Sequence, residues 1–414
     1  MGVSPDTLSS SFAESWLGYM KALLPLFVFI DACGWEIIKS DPFVRKFAPH
    51  RKKLDSVFGY SSACVPSILS GSWPQEHRNW CYFVYDPLHS PFKFLRCLRW
   101  LPTALTSRRR FRHLLSRAIK SRLKFKGYFD LYNIPFHRIA SYDFSEKKSP
   151  LQPGGMNRGP NIFDYLRSRS IQYHVSEPEK TEDQNSAALI ADLQAEAIDF
   201  AFLYWPALDG LLYRVGNQSF EIAPKLRSYE HQLERILDIA EKHYAEVRLY
   251  VFSDHGMANC DELLDLKTLI DALPAREGTD YAVVYDSTMA RFWFFNPRAK
   301  WLVSERLKEI SQGRILQDSE LQHLKTFFPD RYFGELIFLV KEGVLIVPSH
   351  MGARPIRAMH GYHPGDPHSF AALCTNQSDL PDEIRAIPDM FRLMTRDAIA
   401  AKELNAVSNL AMAG

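Results

Sequence analysis

The sequence is short of features that would assign its class at once. Its six cysteines are scattered with no Cys-x-x-Cys spacing, which argues against a disulfide scaffold or a zinc ribbon and is typical of a reducing compartment. The apolar run Leu23–Ile30 is too short to span a bilayer. Met1–Tyr19 is polar, carries Asp6 and Glu14 and does not resemble a secretion signal, so we expect a cytoplasmic protein without a transmembrane helix.

One long segment lacks acidic residues. Pro87–Phe129 contains twelve Lys or Arg and no Asp or Glu, although the net charge of the chain is only +2. The small net charge argues against a general polyanion binder, and we expect no nucleic-acid polymer as a partner. Apolar residues interleave with the basic ones, which predicts one or two basic amphipathic helices. Such helices bind anionic membranes or polyanions, frame an anionic substrate, or are simply solvated, and the pattern leaves these roles open.

The sequence does contain an alternation of strand and helix patterns. A hydrophobic content of 46% and a charged content of 24% are ordinary for a soluble globular protein. Three apolar runs predict buried strands at Leu23–Ile30, Asp199–Tyr204 and Val247–Phe252, and Ser56–Tyr60 is a further short strand candidate. The strongly amphipathic helix pattern of Pro224–Tyr244 leads into the third run. Together these patterns predict an α/β fold with a mostly parallel central sheet flanked by helices.

Changes in composition divide the chain into a discontinuous core and an insertion. Ser149–Pro160 is rich in Pro and Gly, and Ser176–Ser186 is highly polar, so both mark the edge of an insertion. The predicted division is a core of residues 20–86 and 187–400, an inserted cap segment of residues 87–186, and a tail of residues 404–414.

Carboxylates directly follow the predicted core strands. Asp31 follows the first strand, Asp209 lies just past the second, and Asp254-His255 follows the third. In open α/β sheets ligands bind beyond the carboxyl ends of the strands, so these side chains should converge there. Asp and His are preferred ligands of zinc and similar ions. Each residue alone is also compatible with a simple turn cap, but the set predicts a divalent-metal site.

A hydroxyl pair and a histidine cluster complete the pattern. Ser61 and Ser62 open a predicted helix, whose N-terminus attracts anions, and a serine facing a metal there would be an activated nucleophile. The alternative role is an N-cap without chemistry. Near the end of the chain, His360, His363 and His368 lie within nine residues.

This order of elements resembles the alkaline phosphatase superfamily, and within it the type I phosphodiesterase/nucleotide pyrophosphatase branch. The specific elements are Ser-Asp-His-Gly from Ser253 and His-Gly-Tyr from His360, and the resemblance covers Leu23–Asp86 and Ala187–Ala400. It implies two divalent metal ions, usually zinc, that bridge one phosphoryl group. The implied ligands are Asp31, Ser61, Asp254 and His255 for the metal beside the nucleophile, and Asp209 and His360 for the other.

The resemblance also fixes the register of the nucleophile. In the family it lies ten residues before the Gly of a Thr/Ser-Gly pair, and counting back from Gly71 gives Ser61, with Ser62 as the second choice. Cys64 superficially matches a sulfatase signature, but it lies seven residues before Gly71, and Ile68 stands where that signature has Arg. We therefore do not expect a sulfatase.

The sequence departs from the family at two positions. Tyr213 stands where the family has a histidine ligand, so the second metal has fewer protein ligands, or His363 or His368 substitutes, or the ion is manganese or magnesium. The family's phosphate-contacting Asn falls at Tyr82, and Asn79 is a candidate replacement.

The resemblance implies a metal-dependent hydrolase of phosphoesters, with a serine nucleophile, a covalent phosphoryl intermediate and a phosphorylated, anionic substrate. One alternative is a phosphotransferase or phosphomonoesterase with the same site. Another is a degenerate, non-catalytic member that binds anions or membranes. We expect the basic segment Pro87–Phe129 to cap the site and to attract this substrate. Peripheral contact of the same segment with a membrane surface is an open alternative. The sequence does not give the oligomeric state.

Overall fold

The structure, a computed structural model, describes residues 20–413, with side chains up to residue 408. Met1–Tyr19, where we expect no secretion signal, lies outside the described residues. The helices are α1 (Trp35–Ile38), α2 (Ser61–Ser70), α3 (Pro74–His77), α4 (Thr103–Thr106), α5 (Arg109–Leu123), α6 (Ile162–Ser168), α7 (Glu182–Gln194), α8 (Ala207–Val215), α9 (Ile222–His243), α10 (Leu266–Asp271), α11 (Pro297–Lys308), α12 (Asp318–His323) and α13 (Met390–Ala413). The strands are β1 (Lys21–Ile30), β2 (His50–Leu54), β3 (Phe83–Tyr85), β4 (Tyr142–Phe144), β5 (Tyr173–Val175), β6 (Phe200–Trp205), β7 (Tyr244–Phe252), β8 (Ala258–Asn259), β9 (Glu262–Leu264), β10 (Tyr281–Tyr285), β11 (Met289–Phe294), β12 (Gly313–Ile315), β13 (Leu336–Val340), β14 (Val344–Ile346), β15 (Ala358–Met359) and β16 (Ala371–Thr375).

A six-stranded sheet organises the molecule, with the order β2-β16-β7-β1-β6-β5. Strands β1, β5, β6 and β7 are parallel, and β16 runs antiparallel to both of its neighbours. The prediction of an α/β fold with a mostly parallel central sheet is confirmed. Ile30 lies beside Trp205 and Phe29 beside Phe252, so β1, β6 and β7 end together at one edge.

Strand β1 is buried on both faces because its side chains alternate between two hydrophobic layers. On one face Phe27 and Phe29 stack on aromatic rings of β7, with centroids 4.6 Å from Tyr250 and 5.4 Å from Phe252. Helices α2 and α13 cover this face. On the other face Val28 packs in the layer covered by α7 and α9. Burial on both faces explains the unbroken apolar run.

Strand Ser56–Tyr60 was wrongly predicted from its sequence. The strand in this part of the chain is instead β2, with the sequence His-Arg-Lys-Lys-Leu, which contains no apolar run. Strand β2 lies at the edge of the sheet, where charged residues discourage pairing with another chain. Residues 56–60 form the loop into α2, in which Gly59 has a φ of 140°.

The chain ends differently from the predicted tail of residues 404–414. Helix α13 continues to Ala413, since residues 404–413 contain no Pro or Gly and Asn405 is tied to the sheet. The Asn405 amide accepts from the Leu23 N–H at 2.9 Å and donates to the Leu23 carbonyl at 3.1 Å. This contact fastens the helix to the start of β1.

The segment 87–186 contains both peripheral and central elements. Strand β5 pairs with β6 in the main sheet, so this part of the segment contributes to the core rather than lying outside it. Upstream of it lie a 3₁₀ turn at Lys93–Leu98 and the helices α4 and α5, where sequence predicted basic amphipathic helices. Among the residues that the structure describes, no helix combines the length and apolar character needed to cross a bilayer.

Candidate metal centre

The centre is built where β1 and β7 end. Asp31 follows β1, and its backbone N–H donates to the carbonyl of Trp205 at 3.1 Å. The Asp254 carboxylate, after β7, accepts from the N–H of Ala32 at 3.2 Å and from the N–H of His255 at 3.0 Å. Because the strands are adjacent and parallel, the sheet itself sets both carboxylates side by side.

Four residues form what we call the first half-site: Asp31, Ser61, Asp254 and His255. His255 Nε2 lies 3.1 Å from Asp254 Oδ2, 3.6 Å from Asp31 Oδ1 and 3.0 Å from Ser61 Oγ. One ligand atom each of Asp31, Asp254 and His255 lies within 4.8 Å of the others. Asp31 Oδ1 and Asp254 Oδ2 are buried without a hydrogen-bond partner among the described residues. Two orphaned carboxylate oxygens beside an imidazole fit a divalent cation with oxygen and nitrogen ligands.

The electrostatics of the cluster also favour a cation. Burial raises the pKa of Asp31 well above its usual range, and the carboxylates of Asp254 and Asp209 raise it further. Desolvation also raises the pKa of Asp209, to about 7. For His255, burial alone lowers the pKa, but the carboxylates of Asp254 and Asp31 outweigh it and raise the pKa to about 10. The cluster therefore attracts positive charge, which a bound metal ion supplies.

Three residues form the second half-site: Asp209, Tyr213 and His360. Asp209 and Tyr213 are four residues apart on α8 and so share a face, and His360 follows β15. His360 Nε2 lies 3.9 Å from Asp209 Oδ1 but only 2.7 Å from the Tyr213 hydroxyl. Asp209 Oδ1 and His360 Nδ1 are buried without partners in the described part of the chain. The two half-sites touch, because the rings of His255 and His360 stack with centroids 3.7 Å apart.

Tyr213 makes the second half-site the poorer one. Burial and the Asp209 carboxylate raise the pKa of the phenol well above its usual range, so the hydroxyl is neutral. A neutral phenol is a weak ligand, and it occupies the Nε2 atom that His360 would offer to a metal. This half-site therefore fits a metal less well than the first.

The two histidines suggested as substitutes make their described polar contacts with other residues. His363 Nε2 lies 3.6 Å from Glu320 Oε1, and its Nδ1 accepts from the N–H of Gly365 at 3.0 Å. His368 Nδ1 lies 2.8 Å from Glu342 Oε1. None of these described contacts is to Tyr213 or Asp209.

The structure distinguishes the three nucleophile candidates on α2. Ser61 begins the helix and contacts His255. Ser62 is turned away and donates to the carbonyl of Trp80 at 2.6 Å. Cys64 is fully buried, and burial raises the pKa of its thiol. Of the three, Ser61 is the one placed in the first half-site.

The candidates for contact with a phosphate are engaged elsewhere. The Tyr82 hydroxyl accepts from the N–H of Asp130 at 2.7 Å, and its ring packs on Tyr132. The Asn79 side chain accepts from the N–H of Asn157 at 3.1 Å. Both therefore hold the segment 87–186 against the core, and none of their described hydrogen bonds is to a residue of either half-site.

Sequence reasoning missed two residues that position the carboxylates. The Tyr204 hydroxyl donates to Asp31 Oδ2 at 2.6 Å, and the Ser56 hydroxyl donates to the carbonyl of Asp254 at 2.7 Å. Tyr204 lies beside Phe29 in the neighbouring strand. A correct strand order and register would have revealed this contact, but the sequence supplies neither.

A family model described as type I phosphodiesterase / nucleotide pyrophosphatase matches residues 26–363. The chain belongs to this family. The family match makes it a hydrolase of phosphoric esters, as the resemblance implied. A comparison with curated protein sequences gives no match.

Solved structures confirm the fold of the phosphodiesterase family. Human ectonucleotide pyrophosphatase/phosphodiesterase 5 is similar with a TM-score of 0.62 and 12% identity, covering 92% of this chain and 95% of that one. An inactive murine form of the same protein, in complex with AMP, gives a TM-score of 0.58 at 13% identity, with coverage of 92% and 95%. Phosphonoacetate hydrolase from Sinorhizobium meliloti 1021, in complex with phosphonoacetate, gives 0.58 at 12% identity, with coverage of 92% and 96%.

Proposed function

We propose that the protein is a metal-dependent phosphodiesterase or nucleotide pyrophosphatase in which Ser61 is the nucleophile. The observation that carries the proposal is the position of Ser61 Oγ, 3.0 Å from His255 Nε2 at the start of α2, beside the orphaned oxygens of Asp31 and Asp254. A nucleophile needs a group that stabilises its deprotonated form, and the donor set of the first half-site suits a metal ion of that kind.

Two metal ions are proposed, with unequal protein ligand sets. Asp31, Ser61, Asp254 and His255 would hold one, and Asp209 and His360 would hold the other. Zinc suits the mixed nitrogen and oxygen donors, while manganese or magnesium remains an alternative for the oxygen-rich second position. When bound, the ions supply Lewis acidity that activates the serine hydroxyl and offsets charge on the phosphoryl oxygens.

The proposed reaction has two steps. Ser61 loses its hydroxyl proton and Oγ forms a bond to phosphorus while the bond from phosphorus to the leaving oxygen breaks and that oxygen gains a proton, which leaves a phosphoryl-serine. Water then loses a proton and forms a bond to phosphorus, the bond to Ser61 Oγ breaks, and Oγ regains a proton, so the free serine is restored. The N-terminus of α2 favours negative charge on the phosphoryl group throughout, because the first N–H groups of a helix have no intrahelical partner. The Tyr204 hydroxyl holds Asp31 in place.

The proposed substrate is a phosphorylated, anionic small molecule rather than a nucleic-acid polymer. A cytoplasmic location is proposed on the six cysteines, all of which are free thiols. We keep the proposed division into a core of residues 20–86 and 187–400 with an insertion of residues 87–186, with the difference that β5 of the insertion belongs to the core sheet. A phosphomonoesterase or phosphotransferase with the same site is the nearest alternative activity.

A substrate panel tests the proposal. The purified protein is incubated with aryl phosphodiesters, phosphomonoesters, phosphonates and sulfates, each with zinc, manganese or magnesium, and metal content is measured in parallel. We expect the highest kcat/KM on diesters, little turnover of sulfates, and loss of activity with a chelator. Faster turnover of monoesters would favour the alternative activity. Absence of both turnover and bound metal would make the protein a non-catalytic binding module.

A further inference from the structure

The outer surface of residues 88–128 combines exposed apolar side chains with positive charge. Trp100 is 74% exposed, Leu88 73% and Leu114 66%, and Phe94, Leu105 and Tyr128 are also exposed. These six are nearly half of the thirteen large hydrophobic side chains exposed in the described part of the chain, in a tenth of its length. A contiguous exposed apolar patch marks an interaction surface, and this segment concentrates the exposed apolar side chains from which such a patch is built. We call this the basic apolar surface.

The positive charges of this surface are not paired with carboxylates of the described residues. In the part of the chain that the structure describes, the twelve Lys and Arg of Pro87–Phe129 form no ion pair with a carboxylate, and the neighbouring pairs are His89–Asp86 before them and Arg138–Glu277 after them. Outside the segment the chain has 38 basic and 48 acidic residues. One basic surface on an otherwise acidic molecule gives it a preferred orientation toward a negative partner.

The inner face of the segment is already packed against the core. The exposed side chains are therefore not the remainder of an incomplete contact with the core. Phe92, Leu95 and Ile119 are buried in the core cluster. The Arg112 guanidinium is buried and donates to the carbonyls of Tyr132 at 2.6 Å and Ile134 at 2.9 Å. The exposed apolar residues are therefore held on a fixed scaffold.

Helix α5 shows how the two kinds of side chain are combined. Leu114 lies one turn from Arg110 and one turn from Arg117, so the three share its exposed face. The Arg122 guanidinium lies 5.8 Å from the ring centroid of Phe94, which places the Lys93–Leu98 turn against the end of the helix.

We propose that the basic apolar surface docks the protein on the anionic face of a lipid bilayer. Arginine and lysine side chains meet lipid headgroups, while Trp100, Leu105 and Leu114 enter the boundary with the acyl chains. Nucleic acid would satisfy the basic residues and stack on aromatic rings, but it offers nothing to exposed leucines, so lipid fits the whole surface better. The proposal concerns this surface alone and does not depend on the catalytic function.

Vesicle co-sedimentation tests the proposal with the full chain. The probes are vesicles of phosphatidylcholine alone and of phosphatidylcholine mixed with phosphatidylserine. We expect binding to the mixed vesicles only, weakened by salt. The double variants Trp100→Ala/Leu114→Ser and Arg110→Glu/Arg117→Glu should each bind about tenfold more weakly. Phe220→Ser, which removes an 86% exposed ring outside this surface, is the matched control and should bind like the wild type.

Each competing outcome is distinguishable. Circular dichroism and thermal melting confirm that each variant is folded, and Ser61→Ala should bind vesicles normally even though it tests the catalytic proposal. Absence of binding to the mixed vesicles, or binding that neither double variant weakens, overturns the docking proposal. Binding of a single-stranded oligonucleotide without vesicle binding assigns the surface to nucleic acid. A further variant changes Arg108, Arg109 and Arg110 to Glu. If this variant has a higher KM for an anionic substrate and the wild type does not bind vesicles, the surface steers substrate instead.

Discussion

The two half-sites of the metal centre differ in how firmly the fold holds them. Asp31 and Asp254 follow adjacent parallel strands of the main sheet, and backbone N–H groups orient the Asp254 carboxylate. Asp209 lies on the nine-residue helix α8, and His360 follows the two-residue strand β15. The half-site with more ligands is also the one whose two carboxylates follow central strands of the main sheet. We infer that the sheet fixes the geometry of the first half-site, whereas the second depends on shorter elements.

The largest expected effect is that of Ser61→Ala, which should lower kcat by about 10³-fold or more while metal content stays near that of the wild type. The change removes the nucleophile but leaves both carboxylates and His255 in place. Steady-state kinetics and metal analysis of the same preparation provide the check. Ser62→Ala is the register control, because Ser62 donates to a backbone carbonyl and should retain most activity. The reverse pattern would move the nucleophile to Ser62.

The comparison of carboxylates comes next. Asp254→Asn should raise the zinc Kd of the first half-site by about 100-fold. Asp209→Asn should raise only the Kd of the zinc ion that is bound more weakly, in the second half-site. Asp254→Asn also removes a negative charge that raises the pKa of Asp31, so with chelator present that pKa should fall toward its usual range. Calorimetric zinc titration and an NMR titration of the carboxyl group measure these effects. Equal loss of both zinc sites in the two variants would abolish the distinction between half-sites.

Tyr213→His sharpens the comparison by giving the second half-site the ligand that the family has. A neutral imidazole in place of the phenol should tighten binding of the second zinc ion about tenfold. Zinc titration monitored by calorimetry gives both affinities. Tyr213→Phe is the control, since it removes the hydroxyl and keeps the ring, and it should not weaken the second site. Loss of the second ion in Tyr213→Phe would show that the phenol itself is a ligand.

Tyr204→Phe should have the smallest effect. It removes the hydrogen bond to Asp31 Oδ2, so zinc affinity of the first half-site should fall by about tenfold. Tyr244→Phe removes a comparable buried hydroxyl, bonded at 2.9 Å to the carbonyl of Ile198, and should cost about 1 kcal/mol of unfolding free energy without changing zinc affinity. An unchanged zinc affinity in Tyr204→Phe would show that the Tyr204 hydroxyl contributes to the stability of the fold and not to metal binding.

The sequence predicted features that depend on local pattern. Leu23–Ile30 and Val247–Phe252 were recognised because strands buried on both faces need unbroken apolar runs. Strand β2 was missed because an edge strand with Lys and Arg carries no such run. The convergence of Asp31 and Asp254 followed from a general property of parallel sheets.

Features that depend on long-range contacts were not predictable in the same way. Tyr204 contacts Asp31 across 173 residues of chain, and only strand register reveals the pair. The partners of His363 and His368, Glu320 and Glu342, lie on other elements, so spacing alone left both rings as candidate substitutes at Tyr213. The convergence of the candidate ligands was therefore readable from the sequence, whereas the supporting hydrogen bonds were not.

The attachment of Asn405 to Leu23 has a consequence for the order in which the molecule is assembled. Strand β1 precedes its neighbours β6 and β7, which come from residues 200–252, and the helix that fastens its first residues comes later still in the sequence. Contacts this distant in sequence make folding slow. The apolar strand that carries Asp31 therefore stays without its native partners until residues 200–252 have been made. Its exposure makes the nascent chain a natural client for chaperones, and the metal centre is complete only once His360 has also been made.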